Sequence, residues 1–244
     1  MDPTAYTKAS NRAAERYSIV LAAFRSLLFG HMGRPFSEVS MRTLRAEASS
    51  IARTFADSET DLIRTTLSDT AQNAQEAVLG DLDAVSGATI PEALKPFLEQ
   101  SVEHLSLEIA AQLSRDVEAL VRRYREYALE AQLAAYSRGL IKPAVTMGDQ
   151  QVSFHFRDRA GRLTPSEGFI RIAWRQSLVS LGAEFYLLEA VNRSATKVIV
   201  VNPDPSHKWQ GQEISLTGEE GRSFTDLRDE IFHPNTDSVL KASI

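Results

Sequence analysis

The side chains best suited to chemistry lie near the C-terminal end: His207, His233, Asp204 and Asp237. Two imidazoles and a carboxylate can hold zinc, or act as base and acid in a metal-dependent nucleic-acid-processing enzyme. The spacing speaks against it. The two histidines stand far apart, in no helical register, with no third histidine near. There is no Gly-rich phosphate loop, no His-Glu-x-x-His and no Gly-x-Ser-x-Gly. Cysteine is absent, which excludes disulfides, thiol catalysis and thiolate zinc sites. No catalysis, no cofactor and no metal site is expected; a nucleic-acid-processing enzyme using His207 and His233 is the alternative.

A second group is defined by charge. Arg157, Arg159, Arg162, Arg171 and Arg175 are set against only Asp158 and Glu167. Such a cluster is either a solvated face or a contact for DNA or an acidic surface. The chain around it is not basic. Residues 1–140 carry 15 Lys and Arg against 19 Asp and Glu, and residues 141–244 carry 12 against 13, so neither half is a general phosphate-neutralising body.

The elements that must position these residues follow from hydrophobic period. At 244 residues, 43% hydrophobic and 24% charged, the chain is ordinary for a globular protein and comfortable for two domains. No apolar run is long enough to span a bilayer, and the N-terminal residues lack the basic-then-apolar order of an export signal. From Ser10, the residues Ala13, Tyr17, Val20, Leu21, Phe24, Leu27 and Leu28 predict an amphipathic helix ending at Gly30, followed by a loop from His31. A second helix is expected from Ser37 to a break at Asp57-Ser58-Glu59, and a third from there to Leu79. Pro91 opens another and Pro96 is placed to kink or split it. From Phe97 to Arg138 the pattern is unbroken, about 60 Å of helix at 1.5 Å per residue. Tyr124, Tyr127 and Tyr136 on it read as core or boundary packing.

Gly139 and Pro143 close this helix, and the domain boundary is expected between Gly139 and Gln150. Val152, Phe154 and Phe156 alternate with polar residues, which predicts a half-buried strand. Thr164-Pro165-Ser166-Glu167 reads as a capping box for a helix to Arg193, with Gly182 as a kink or close-packing point. Lys197 to Val201 reads as a strand buried on both faces, Gln212 to Leu216 as another, and Phe224 to Asp229 as a helical turn. Gly211 and Gly218 permit positive φ or close packing, Trp209 and Phe232 can anchor a small core, and His233-Pro234-Asn235 forms a turn. The fold class is therefore α+β: a helical domain over 1–140 with one long helix, then a small α+β domain over 141–244 with short strands.

The order Ile170-Arg171 and Trp174-Arg175 on a helix, an apolar strand, Trp209-Gln210-Gly211, Ile214-Ser215-Leu216-Thr217-Gly218, then Phe232-His233-Pro234-Asn235 and Val239-Leu240 is itself a pattern. It resembles the C-terminal half of the tailed-phage minor capsid proteins, the minor capsid protein 2 family and its Mu F-like head-morphogenesis relatives. Family members commonly carry cysteines before the Gln-Gly pair and a Cys-x-His after the His-Pro-Asn. Pro203 to His207 and Thr236-Asp237-Ser238 stand there instead, so a metal site of that kind is not expected. The resemblance implies a virion protein present in several copies per particle, made in the host cytoplasm and placed near the portal vertex. Its implied partners are the portal and capsid proteins, with non-specific contact to packaged DNA and none to membrane.

Overall fold

The computed structural model describes residues 2–32, 36–83, 90, 92–137, 152–216, 224–233 and 236–243. Helix α1 spans Pro3–Met32. Asp2 caps it, its Oδ1 accepting from the Thr4 N–H at 2.9 Å, and Pro3 sits in the first turn, where a missing donor costs nothing. The helix starts earlier than its apolar stripe suggests and carries Gly30 and His31 within its last turn.

Helix α2 spans Glu38–Asp81. Ser37 and Ser40 cap it reciprocally: the Ser40 N–H donates to Ser37 Oγ at 3.0 Å and the Ser37 N–H to Ser40 Oγ at 2.9 Å. The break expected at Asp57-Ser58-Glu59 is not there. Arg16 forks onto the Glu59 carboxylate, 2.9 Å from Nε and 2.5 Å from Nη2, and Glu59 is 1% exposed. A poor helix former costs only about 0.5 kcal/mol, less than a buried charge-assisted fork contributes.

A short 3-10 helix, Glu92–Leu94, leads into α3, Lys95–Ser137. The helix expected from Pro91 is thus divided just before Pro96, which itself falls in the first turn of α3, where its missing N–H costs nothing. The joint expected between Gly139 and Gln150 lies outside the described residues. Strand β1, His155–Arg157, pairs antiparallel with β2, Leu163–Pro165, with Phe156 opposite Thr164. Val152 and Phe154 are buried but precede the strand. Thr164 and Pro165 belong to β2 rather than to a capping box, and α4 begins one residue later, spanning Ser166–Asn192.

Strand β3 (Lys197–Val201) is flanked by β4 (Glu213–Ser215) and β5 (Val239–Ser243), both antiparallel to it, with α5 (Phe224–Ile231) between them in sequence. Val198 faces Ile214 on one side and Ala242 on the other. Val198 and Val200 are fully buried while Lys197, Ile199 and Val201 are half-buried, so β3 presents one core face rather than two. The architecture is thus α+β, helical through the N-terminal half, with short antiparallel strands, among the described residues, only in the C-terminal part.

Contacts divide the chain into two units: residues 1–12, 60–105 and 171–244, and residues 13–59 and 106–170. Each long helix contributes to both. In the first unit Leu67, Ala71, Val102, Trp174, Leu178, Phe185 and Val198 are buried. Gly182 permits the closest approach there: a Cβ at this position would collide with the Tyr6 hydroxyl and lie 3.2 Å from its Cζ. In the second unit Tyr17, Phe24, Leu44, Ile109, Leu113, Leu120 and Tyr124 form the core, with Phe154 tilted against Phe24 at 6.0 Å. Among the described residues no helix is long and apolar enough to cross a membrane.

Candidate interaction surfaces

The C-terminal motif belongs to the first unit and starts where β3 ends. Asn202 and Asp204 fold the chain over: the Asp204 N–H donates to Asn202 Oδ1 and the Ser206 N–H to Asp204 Oδ1, each at 2.9 Å. The Ser206 donors hold the Asp204 carboxyl below the usual carboxylate range. Gln210 reaches back, its Oε1 accepting from the Asn202 N–H. Gly211 adopts φ +74°, and a Cβ there would meet nothing within 4 Å, so backbone conformation alone asks for glycine. The Gly211 N–H donates to Val200 O at 2.8 Å and the Val200 N–H to Gln212 O at 3.0 Å. Two residues thus oppose one, a bulge at the start of β4.

Trp209 is 8% exposed and Phe232 4%, both as anchors of this small core. Ser215 is buried in β4, and the Leu216 N–H donates to Thr196 O at 2.9 Å. His233 is half-buried, and its carbonyl accepts from the Thr236 N–H at 2.9 Å. Asn202 Nδ2 donates to Ser238 Oγ at 2.9 Å, tying the loop to the segment before β5. Thr217, Gly218, Pro234 and Asn235 lie outside the described residues.

Three of the four groups of the alternative chemistry have other partners. The His207 ring turns Nδ1 toward the Trp209 N–H at 3.4 Å, Asp204 serves Ser206, and Asp237 pairs with Arg175 at 2.6 Å. Among the described residues no three of His, Asp and Glu are grouped to hold a metal.

The five arginines divide between the units. Arg157, Arg159 and Arg162 stand exposed on the β1–β2 hairpin of the second unit. Gly161 turns that hairpin at φ +81°. Asp158 accepts from Arg162 Nε at 2.7 Å, which holds its carboxyl below the ordinary range. At the hairpin's base Phe156 stacks on Phe169 at 4.3 Å, and the Arg115 guanidinium lies 5.3 Å from the Phe156 ring centroid. Arg171 is exposed on α4 in the first unit. Arg175 is turned inward: it donates to Thr7 Oγ1, to the Thr236 carbonyl at 2.8 Å and to Asp237. Its role is to hold α1 and the β5 approach to α4.

Sequence reasoning missed the principal buried polar site, in the second unit. Asp116 on α3 is 1% exposed. It accepts from Tyr17 Oη at 2.6 Å, Ser166 Oγ at 2.9 Å and Gln112 Nε2 at 3.1 Å. Burial raises the Asp116 pKa, and the three hydrogen bonds and Arg115 only partly oppose it. The signal was available: Gln112 and Asp116 fall in phase with Ile109, Leu113, Val117 and Leu120 on the buried stripe of α3. An open groove of about 350 Å³ lies between α2 and α3 of this unit, lined by Ala52, Ala56, Leu113 and Val117 among others.

No known family model, no curated protein and no solved structure matches this chain.

Proposed function

We infer that this chain is a minor structural protein of a tailed-phage head, acting near the portal vertex in head assembly, genome retention or DNA delivery. One observation carries the reading: the ordered motif Trp209-Gln210-Gly211, Ile214 to Gly218 and Phe232 to Asn235, which resembles the minor capsid protein 2 and Mu F-like family. Trp209 and Phe232 are buried anchors and Gly211 shapes a bulge, so the described part of the motif does architectural work. Long amphipathic helices suit docking on portal and capsid proteins. The exposed Arg157, Arg159 and Arg162 hairpin is the surface offered to packaged DNA, with Arg171 as a separate basic point; Arg175 is excluded by its internal bonds.

Purified particles and lysate supply the test. Mass spectrometry should find this protein with portal and major capsid proteins, at low stoichiometry, in the particles. Its absence from them overturns the assignment. With Arg157, Arg159 and Arg162 all changed to Glu, the particles should retain less DNA; unchanged retention removes the hairpin from that role.

A further inference from the structure

Near its C-terminal end, α3 carries two apolar faces. One is seated in the core of the second unit, where Tyr124, Tyr127, Ala128 and Ala131 are buried. The other is bare: Leu129 is 52% exposed, Leu133 70% and Tyr136 88%. Tyr136 therefore does not share the packing of the two earlier tyrosines, as its spacing had suggested. At 3.6 residues per turn, positions i, i+4 and i+7 fall on one stripe, opposite the buried face. Exposed apolar residues elsewhere in this unit, such as Ile19 and Leu107, are not part of such a run. The flanks of the stripe differ in sign. Arg125 borders one side and Glu130 the other, and both are exposed. Glu130 also pairs with Arg123 of its own helix at 3.7 Å, and its side chain is still 52% exposed.

We propose that this stripe joins two copies of the chain, their α3 ends lying parallel, with Leu129, Leu133 and Tyr136 of one against the same residues of the other. The occupant is chosen by the order of charges. Leu129, Leu133 and Tyr136 follow the alternating four- and three-residue steps of a helix seam. In a parallel pair, Arg125 then faces Glu130 of the second copy, and the two-fold axis repeats the contact. An antiparallel pair would set arginine against arginine and glutamate against glutamate. The helix is already formed, so pairing does not have to order it.

The chain has no cysteine, so Tyr136→Cys supplies a single thiol at an exposed position. Under mild oxidation the full-length Tyr136→Cys protein should form a disulfide-linked dimer, while Glu103→Cys, exposed elsewhere on α3, should not. By sedimentation the unmodified chain should dimerise, and Leu133→Gln should raise the dimer dissociation constant about tenfold or more. Arg125→Glu should also weaken it, and Arg125→Glu with Glu130→Arg should restore it. Unchanged helical circular dichroism confirms that each variant folds. A wild-type monomer at high micromolar concentration, a dimer indifferent to Leu133→Gln, or equal crosslinking at 136 and 103 overturns the proposal. Failure of the double charge exchange to restore pairing overturns the parallel order.

Discussion

In the second unit the Tyr17 hydroxyl donates to Asp116, and in the first unit the Tyr186 hydroxyl donates to Asp81. Both phenols are raised well above the ordinary tyrosine range, first by burial. The carboxylates are placed differently. Asp116 is enclosed and satisfied by three side-chain donors, whereas Asp81 stands exposed at the end of α2 and the Tyr186 hydroxyl also accepts from the Ala242 N–H at 2.6 Å. The second unit thus buries this carboxylate and must surround it. The first unit buries the hydroxyl and leaves the carboxylate in water. An enclosed carboxylate makes its donors depend on it, and the penalty for losing it is correspondingly larger.

The largest expected effect follows from that dependence. Asp116→Ala strands Tyr17, Ser166 and Gln112 without their acceptor and should cost about 3 kcal/mol. For a chain of this length that lowers Tm by about 6–12 °C. A smaller loss than that of Tyr186→Phe would break the contrast between the units. The same site sharpens it through pH. The folded pKa of Asp116 lies above its unfolded value near 3.9. Its contribution is therefore fully present below about pH 3.9 and is lost as pH rises through the raised folded pKa. Asp116→Asn removes this titration. The Tm of wild type relative to Asp116→Asn should rise as pH falls from neutral toward 4, and a difference that is flat with pH defeats the prediction.

In the first unit Gly182→Ala forces a methyl group against Tyr6 and should cost about 2 kcal/mol in chemical denaturation. Adding Tyr6→Phe removes the colliding oxygen and should recover part of that loss. Tyr186→Phe leaves the Ala242 N–H without its acceptor and should cost about 1.5 kcal/mol. The smallest change runs the other way. Ser194 ends α4 at φ 62°, with the Ala195 N–H donating to Ala190 O and the Ser194 N–H to Val191 O, each at 2.9 Å. That is the place where glycine is favoured, and Ser194→Gly should gain about 0.5 kcal/mol.

Local pattern was enough for the long helix and for β3. Phe97 to Arg138 was expected and Lys95–Ser137 is found; Lys197 to Val201 matches its strand end to end. The failures share a cause, which is that distant partners decided them. Asp57-Ser58-Glu59 looks like a break until Arg16 binds Glu59. Thr164 looks like a cap until β1 pairs with it, after which the Ser166 N–H donates to Phe154 O at 3.1 Å and α4 starts there. Val239–Ser243 has no strong strand signature, and its register is set by β3, some forty residues earlier. Of the motif, Gly211 and the two aromatic anchors were legible because a turn and a small core each need a residue of that kind. The division of the arginines was not, since Arg175 found its acceptors on two remote segments.

The placement of Trp174 and Trp209 has a practical consequence. They are the chain's two tryptophans, both are buried, and both belong to residues 171–244 of the first unit. Indole emission is therefore a reporter of that unit alone, while far-ultraviolet ellipticity sums the helices of both. Overlaid denaturation curves from the two signals test whether the units melt as one. Coincident midpoints mean a single cooperative transition. A separation between them reads out the second unit's own stability without any label.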